Sequence, residues 1–251
     1  MLPDLDKWLS YFAQNALDAE NICWDSHETL TAEEYHCIKD SIAAFQLGEY
    51  SEGAGLVKFA EHYAQSHASR PLVDITRLFI KEEQKHAFLL KRFMEQQHIP
   101  VIKKNWTDTV FRRLRKNVGY ELSITVLITA EIIALVYYKA LRACTHSIVL
   151  SAICDKILRD ESAHVKYESG LLNYLHGRKP TGRRFSARFR HQFLYGGTVL
   201  VVYYDHRRVL RRGGYNLAAF WRDCWAEFFA CFGTPLPRDS LQPTSASGQP
   251  H

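Results

Sequence analysis

Apolar residues recur mostly three and four positions apart along this chain, over stretches far longer than a strand, and alternating runs are scarce. The pattern predicts an all-α protein. A short amphipathic helix is expected over about 4–18. A long helix follows over about 32–66, opened by Thr31 with Glu34 three residues on, an arrangement in which each residue can satisfy the other's backbone N–H. The next covers about 71–97, with Pro71 in the first turn, where a missing N–H costs little. A connection holding a short helix, about 107–116, leads to helices over about 119–143 and 147–176, the last stopping at Gly177. Two more, about 184–211 and 215–232, complete the pattern. Four of the eight prolines fall within the last seventeen residues, which marks 233–251 as a flexible tail. The expected organisation is one domain over 1–232, with a core at about 32–176 and accessory helices at about 184–232.

One stretch, residues 122–138, is apolar nearly all round and carries a single acid, Glu131, near its middle. A membrane span wants about 20 apolar residues, and a lone acid in lipid is costly. A helix at the centre of a bundle fits better. Composition agrees: 47% hydrophobic and 24% charged residues are ordinary for a globular protein and exclude a disordered or disulfide-scaffold chain. The first ten residues lack the basic, then apolar, order of a signal peptide. The six cysteines include no C-x-x-C pair and read as reduced thiols, so a cytoplasmic location is expected.

Two helices carry the chemistry. Glu82-Glu83-Gln84-Lys85-His86 and Asp160-Glu161-Ser162-Ala163-His164 both read acid-Glu-x-x-His, and residues three apart converge on one face of a helix. Each has a single Glu partner on the preceding helix: Glu52 stands 31 residues before Glu83, and Glu131 stands 30 before Glu161. Glu131 lies in an apolar run, where an unpaired carboxylate is expensive unless it holds a proton, a hydrogen bond or a cation. Four carboxylates and two imidazoles thus meet inside four helices, a hard-donor set suited to iron or manganese. The preceding acids, Glu82 and Asp160, are placed to accept the outer ring N–H of each histidine. Residues 98–118 are long enough to return from one bundle end to the other, so one long crossover joins two hairpins.

On Glu52, Glu83, His86, Glu131, Glu161 and His164, the sequence resembles the ferritin-like di-iron carboxylate superfamily over about residues 32–176. The resemblance implies a ferritin-like four-helix bundle holding two iron ions, with manganese or an iron–manganese pair as variants, that react with dioxygen or peroxide. The expected protein is a non-haem di-iron oxidoreductase, an oxygenase acting on a small organic or acyl substrate, as a monomer or homodimer. The alternative is a ferroxidase, an iron-handling or a peroxide-detoxifying protein. No flavin, NAD or iron–sulfur motif is present, so electrons are expected from an external donor. The rubredoxin-type C-x-x-C module is absent, and Ile157 stands where the N-oxygenase branch carries an extra histidine.

Several residues compete for attention. Glu33 and His36 form a third Glu-x-x-His, read as helix-start surface. Glu49 shares the face of Glu52 one turn earlier and Glu168 shares that of His164 one turn later, so both are additional candidates, as is Tyr138. Glu61 near the helix end is a weaker rival to Glu52, and Tyr50, Tyr137 and Tyr167 surround the site in sequence. The net charge of +5 is uneven, because residues 178–212 hold ten Lys or Arg and one acid. That segment is expected to cover the bundle, with Phe185, Phe189, Phe193 and Tyr195 on a core-facing stripe; the other reading is a surface for an acidic protein or anionic lipid. No nucleic acid is expected.

Overall fold

The computed structural model describes residues 3–18, 21–50, 53–67, 69–106, 109 and 119–233. Among them are eight helices: α1 (Leu5–Asn15), α2 (Ala32–Glu49), α3 (Ala54–His67), α4 (Arg70–Gln96), α5 (Tyr120–Ala143), α6 (Ile148–Gly177), α7 (Thr181–Arg212) and α8 (Leu217–Phe232). No strand occurs among the described residues. All but residue 109 of the short helix expected over 107–116, and the tail from 234, lie outside them, as does Glu52.

Local chemistry sets the helix ends. Thr31 and Glu34 cap α2 reciprocally, as the sequence pattern requires. Ser147 accepts from the backbone N–H of Leu150 at the start of α6, and Glu28, from the loop before α2, accepts from Ile148 and Val149. A carboxylate at that position satisfies exposed N–H groups and the positive end of the helix dipole together.

The single helix expected over 32–66 is two helices, and this corrects the sequence reading. After Glu49 the chain turns extended at Tyr50, and Gly53 takes φ +63. A side chain at Gly53 would also collide with Ile80, since a Cβ there comes within 2.3 Å of it. Both the left-handed backbone and the close approach therefore require glycine. The signal was present: Gly48, Gly53 and Gly55 crowd into eight residues.

Pairings along the helices give the topology. Tyr35 on α2 meets His98 just past α4, Gln46 on α2 meets Ala87 on α4, and Glu61 on α3 meets Arg77 on α4. α2 and α3 thus run in succession antiparallel to α4. Arg142 with Asp155 and Glu121 with His176 make α5 and α6 antiparallel as well. His86 with Asp160 and Glu82 with His164 make α4 antiparallel to α6. It follows that α4 and α5 are parallel, so the connection between them traverses the bundle. This is the ferritin-like arrangement of two hairpins and one long crossover.

α5 is long and apolar enough to cross a membrane, yet most of its apolar window is buried inside the bundle. Ile128, Ile132, Tyr137 and Tyr138 on it are fully buried with Leu89, Leu90, Phe93, Ile153 and Ile157. It is the core helix the sequence suggested.

The accessory helices flank the bundle. α7 packs on both α5 and α2, and α8 packs across α5, α6 and α7. α7, which bends at His206, touches α5 from Thr129, through His191, to Ala140, against Gly213, over three turns. The stripe expected to face the core does not: Tyr195 is buried, but Phe185, Phe189 and Phe193 are 73%, 62% and 80% exposed. The four-residue spacing reports a shared face and carries no information about which side the neighbouring helices occupy.

Candidate metal centre

The site is built from the middle of the bundle, where α4 and α6 face each other. Glu83 and His86 lie one turn apart on α4, as do Glu161 and His164 on α6; α5 adds Glu131 and the last residue of α2 adds Glu49. Their donor atoms form two interlocked groups: Glu49, Glu83, His86 and Glu161 in one, Glu83, Glu131, Glu161 and His164 in the other, with the chosen atoms of each group within 4.8 Å of one another. Glu83 and Glu161 belong to both. His86, Glu161 and His164 are fully buried, and Glu131, Glu83 and Glu49 nearly so.

The ring Nδ1 atoms point inward. His86 Nδ1 lies 3.4 Å from Glu161 Oε1 and 3.7 Å from Glu83 Oε1. His164 Nδ1 lies 3.2 Å from Glu83 Oε1, 3.3 Å from Glu161 Oε2 and 3.8 Å from Glu131 Oε2. Metal–ligand bonds of about 2.0–2.2 Å put neighbouring donors roughly 3 Å apart, so this spacing suits donors around a shared cation. Glu83 Oε1, His86 Nδ1 and Glu161 Oε1 are buried with no hydrogen-bond partner. Such orphans cost heavily in a core and call for a ligand.

The outer contacts fix the imidazoles. His86 Nε2 donates to Asp160 Oδ2 at 2.9 Å, and His164 Nε2 donates to Glu82 Oε2 at 2.8 Å. Each helix supplies the carboxylate that holds the other helix's histidine, which directs both Nδ1 atoms into the pocket. Asn15 at the end of α1 bridges these carboxylates, donating to Glu82 at 2.8 Å and Asp160 at 3.0 Å. Lys156, buried one turn before Asp160, donates to both its oxygens at 2.7 and 2.5 Å. Tyr138 donates to Glu49 at 2.5 Å.

The electrostatics are those of a pocket short of positive charge. Burial alone would lower His86, but the hydrogen bond to Asp160 and the close carboxylates of Glu161 and Glu83 push it up to about 10. His164 is raised in the same way by Glu161, Glu82 and Glu83 against the effect of burial. Burial, reinforced by Glu83 and Glu161, raises Glu49 well above the usual carboxylate range. Burial would also raise Glu161, yet His164 and His86 bring it down to about 2.

Of the sequence candidates, Glu83, His86, Glu131, Glu161 and His164 are brought together, with Glu82 and Asp160 behind the histidines. Glu52 lies outside the described residues; among those described, the carboxylate reaching the cluster from this part of the chain is Glu49. Glu168 is buried near Tyr120 and belongs to neither donor group. Tyr50 is half exposed and Tyr167 packs on Trp8 and Phe12. Glu33 pairs with Arg212 at the surface, away from the cluster. The sequence reading missed Lys156 and Asn15. Lys156 had a signal, a lysine four residues before a buried acid on the same helix face; Asn15 had none, because only docking of α1 brings it near.

Fold and site together define a ferritin-like helical bundle with a buried carboxylate–histidine cluster. Solved structures share that fold. A variant of an R2-like ligand-binding oxidase with aerobically reconstituted Mn/Fe cofactor superimposes with a TM-score of 0.65 at 15% identity, covering 91% of this chain and 95% of that one. A second variant, anaerobically reconstituted with Mn/Fe, gives 0.62 at 15% identity, covering 91% and 92%. No family model and no curated protein matches the chain.

Proposed function

We propose that the protein is a non-haem dimetal oxidoreductase that activates dioxygen and oxidises a small organic or acyl substrate. The observation that carries this reading is the pair of donor groups sharing Glu83 and Glu161, with three buried donor atoms lacking any other partner. Two iron ions, or iron with manganese as in the R2-like structures, fit the oxygen-rich, two-imidazole set. Glu83 and Glu161 would bridge the ions, Glu49 and His86 would complete one position, and Glu131 and His164 the other. When bound, such a pair supplies the electrons that reduce dioxygen.

The chain's own residues prepare the site. With metal bound, Asp160 and Glu82 would hold the proton on each Nε2, and the Nδ1 proton of the metal-free rings would give way to the cation. Tyr138 restrains Glu49 through its hydroxyl. Phe12 stacks on His164 from one side and Phe79 packs on it from another, which excludes water from that ring. Reducing equivalents come from an external donor in this proposal, and the protein works in the cytoplasm as a monomer or homodimer.

The experiment is anaerobic loading of purified full-length protein with ferrous iron, followed by air. Two metal ions per chain and an oxygen-dependent absorbance are expected. Absence of both would end the catalytic reading, and sustained consumption of ferrous iron with mineral formation would place the protein among ferroxidases instead.

A further inference from the structure

The basic segment that departs from its expected orientation has a surface of its own. Phe185, Phe189 and Phe193 stand one turn apart on α7 and are exposed to 73%, 62% and 80%. The same face continues through Leu200 and Tyr204, also exposed. Between them, Gly196 is covered by α8: a Cβ there would touch Trp221 at 3.4 Å and Trp225 at 3.5 Å. Trp221 and Phe229 are themselves partly exposed, and Trp225 packs on both. Two helices therefore present one aromatic strip to solvent, larger than the scattered apolar residues of an ordinary surface.

Its borders are cationic. Arg183, Arg184 and Arg190 are exposed and Arg188 half-buried, and none has a carboxylate within ion-pair distance among the described residues. No Asp or Glu occurs between Glu168 and Asp205. We propose that this face docks the protein on an anionic bilayer surface. Phenylalanine and tryptophan side chains favour the boundary between headgroups and acyl chains, while arginines at the edge reach lipid phosphates through long apolar stems. The absence of acids removes the repulsion that anionic headgroups would otherwise meet.

A second copy of the chain fits the face less well. A two-fold interface brings the same patch against itself, and here it would juxtapose two arginine clusters with no acid to pair them. Nucleic acid shares the charge, but single-strand binding pairs stacking aromatics with a basic groove, and these phenylalanines stand on the outward face of one helix. The proposal is independent of the metal chemistry.

The test uses the full-length protein and sedimentation with two kinds of vesicle, phosphatidylcholine alone and equimolar phosphatidylcholine–phosphatidylglycerol. Binding to the anionic vesicles is expected to exceed that to the neutral ones at least about tenfold and to weaken with salt. The triple variant Phe185→Ser/Phe189→Ser/Phe193→Ser should lose binding about tenfold or more, and so should Arg183→Glu/Arg184→Glu/Arg190→Glu, each with melting temperature and metal content unchanged. Failure of the native protein to bind anionic vesicles overturns the proposal. So does undiminished binding by the phenylalanine variant, a native dimer which that variant turns into a monomer, or oligonucleotide binding that replaces vesicle binding.

Discussion

In one half of the bundle Glu131 stands in the middle of the unbroken helix α5, held by packing on every side; in the other, Glu49 is the last residue of α2, and the chain breaks directly after it. The spacing differs accordingly: Glu49 precedes Glu83 by 34 residues, and Glu131 precedes Glu161 by 30. A mid-helix carboxylate is placed by its own helix, whereas one at a helix end needs help from outside. Glu49 receives it from Tyr138 on α5, so the first half borrows rigidity from the second. The outer contacts are unequal too. Asp160 behind His86 is charge-balanced by Lys156, while Glu82 behind His164 has the neutral Asn15. Two similar motifs therefore make two dissimilar donor groups.

The largest expected effects come from removing a donor that both groups share. Glu161→Ala should leave the chain unable to hold either ion, whereas Glu49→Ala and Glu131→Ala should each lose one, read by metal analysis after anaerobic loading. If Glu52→Ala lost an ion and Glu49→Ala kept both, the first half would be ligated as the symmetric spacing of 31 and 30 suggested, and the contrast drawn above would fail.

Next in size is the buried lysine. Lys156→Met takes its ammonium partner from Asp160 and leaves it only His86 and Asn15, in a site where Lys156 and Asp160 are almost fully buried, a change that typically costs about 3–5 kcal/mol. Arg142→Ala removes a half-exposed partner of Asp155 and should cost below about 1 kcal/mol. Urea melts of the two variants would measure the difference, and equal losses would mean that Asp160 finds compensation elsewhere.

Acid probes both halves together, because α7 touches α2 through His206 and α5 through His191. His206 shares a 2.8 Å hydrogen bond with Ser41, which in turn bonds Tyr137; His191 lies 3.2 Å from Thr129. Burial lowers His206 to about 4, and burial with the neighbouring His176 lowers His191 to about 3. The unfolded chain binds protons near 6.5 that the folded core refuses, so this stability is complete above about 6.5 and is lost as pH falls toward 4 and 3. Each group contributes on the order of a few kcal/mol. Equilibrium melts should fall steeply over that window, and less so in His206→Phe.

The smallest effects test the helix break. Gly53→Ala should cost about 1–3 kcal/mol from its positive φ and the clash with Ile80. Gly55→Ala, two residues on and inside α3 with open space around it, should gain about 0.5–1 kcal/mol. Thermal melts of the pair would separate a required break from a tolerated one.

The linear chain determined much of this by itself. Three- and four-residue periodicity marked the helices, save the break after Glu49, and the two acid-Glu-x-x-His runs with an isolated Glu131 in an apolar helix pointed to a shared buried site, because such spacing converges on one helix face in any fold. It also implied the crossover, since chain length between α4 and α5 must match the bundle. Only the tertiary structure decided the rest. That Glu49 ends α2 at the site follows from a break whose glycine, Gly53, is held against Ile80 of another helix. Asn15 joined the outer contacts because α1 docks on α4, and Lys156 because α6 faces it inward. Phe185, Phe189 and Phe193 face solvent because α7 presents its opposite side to α5 and α2. Periodicity defines a face; the partner that covers it, or leaves it bare, is a property of the assembled bundle.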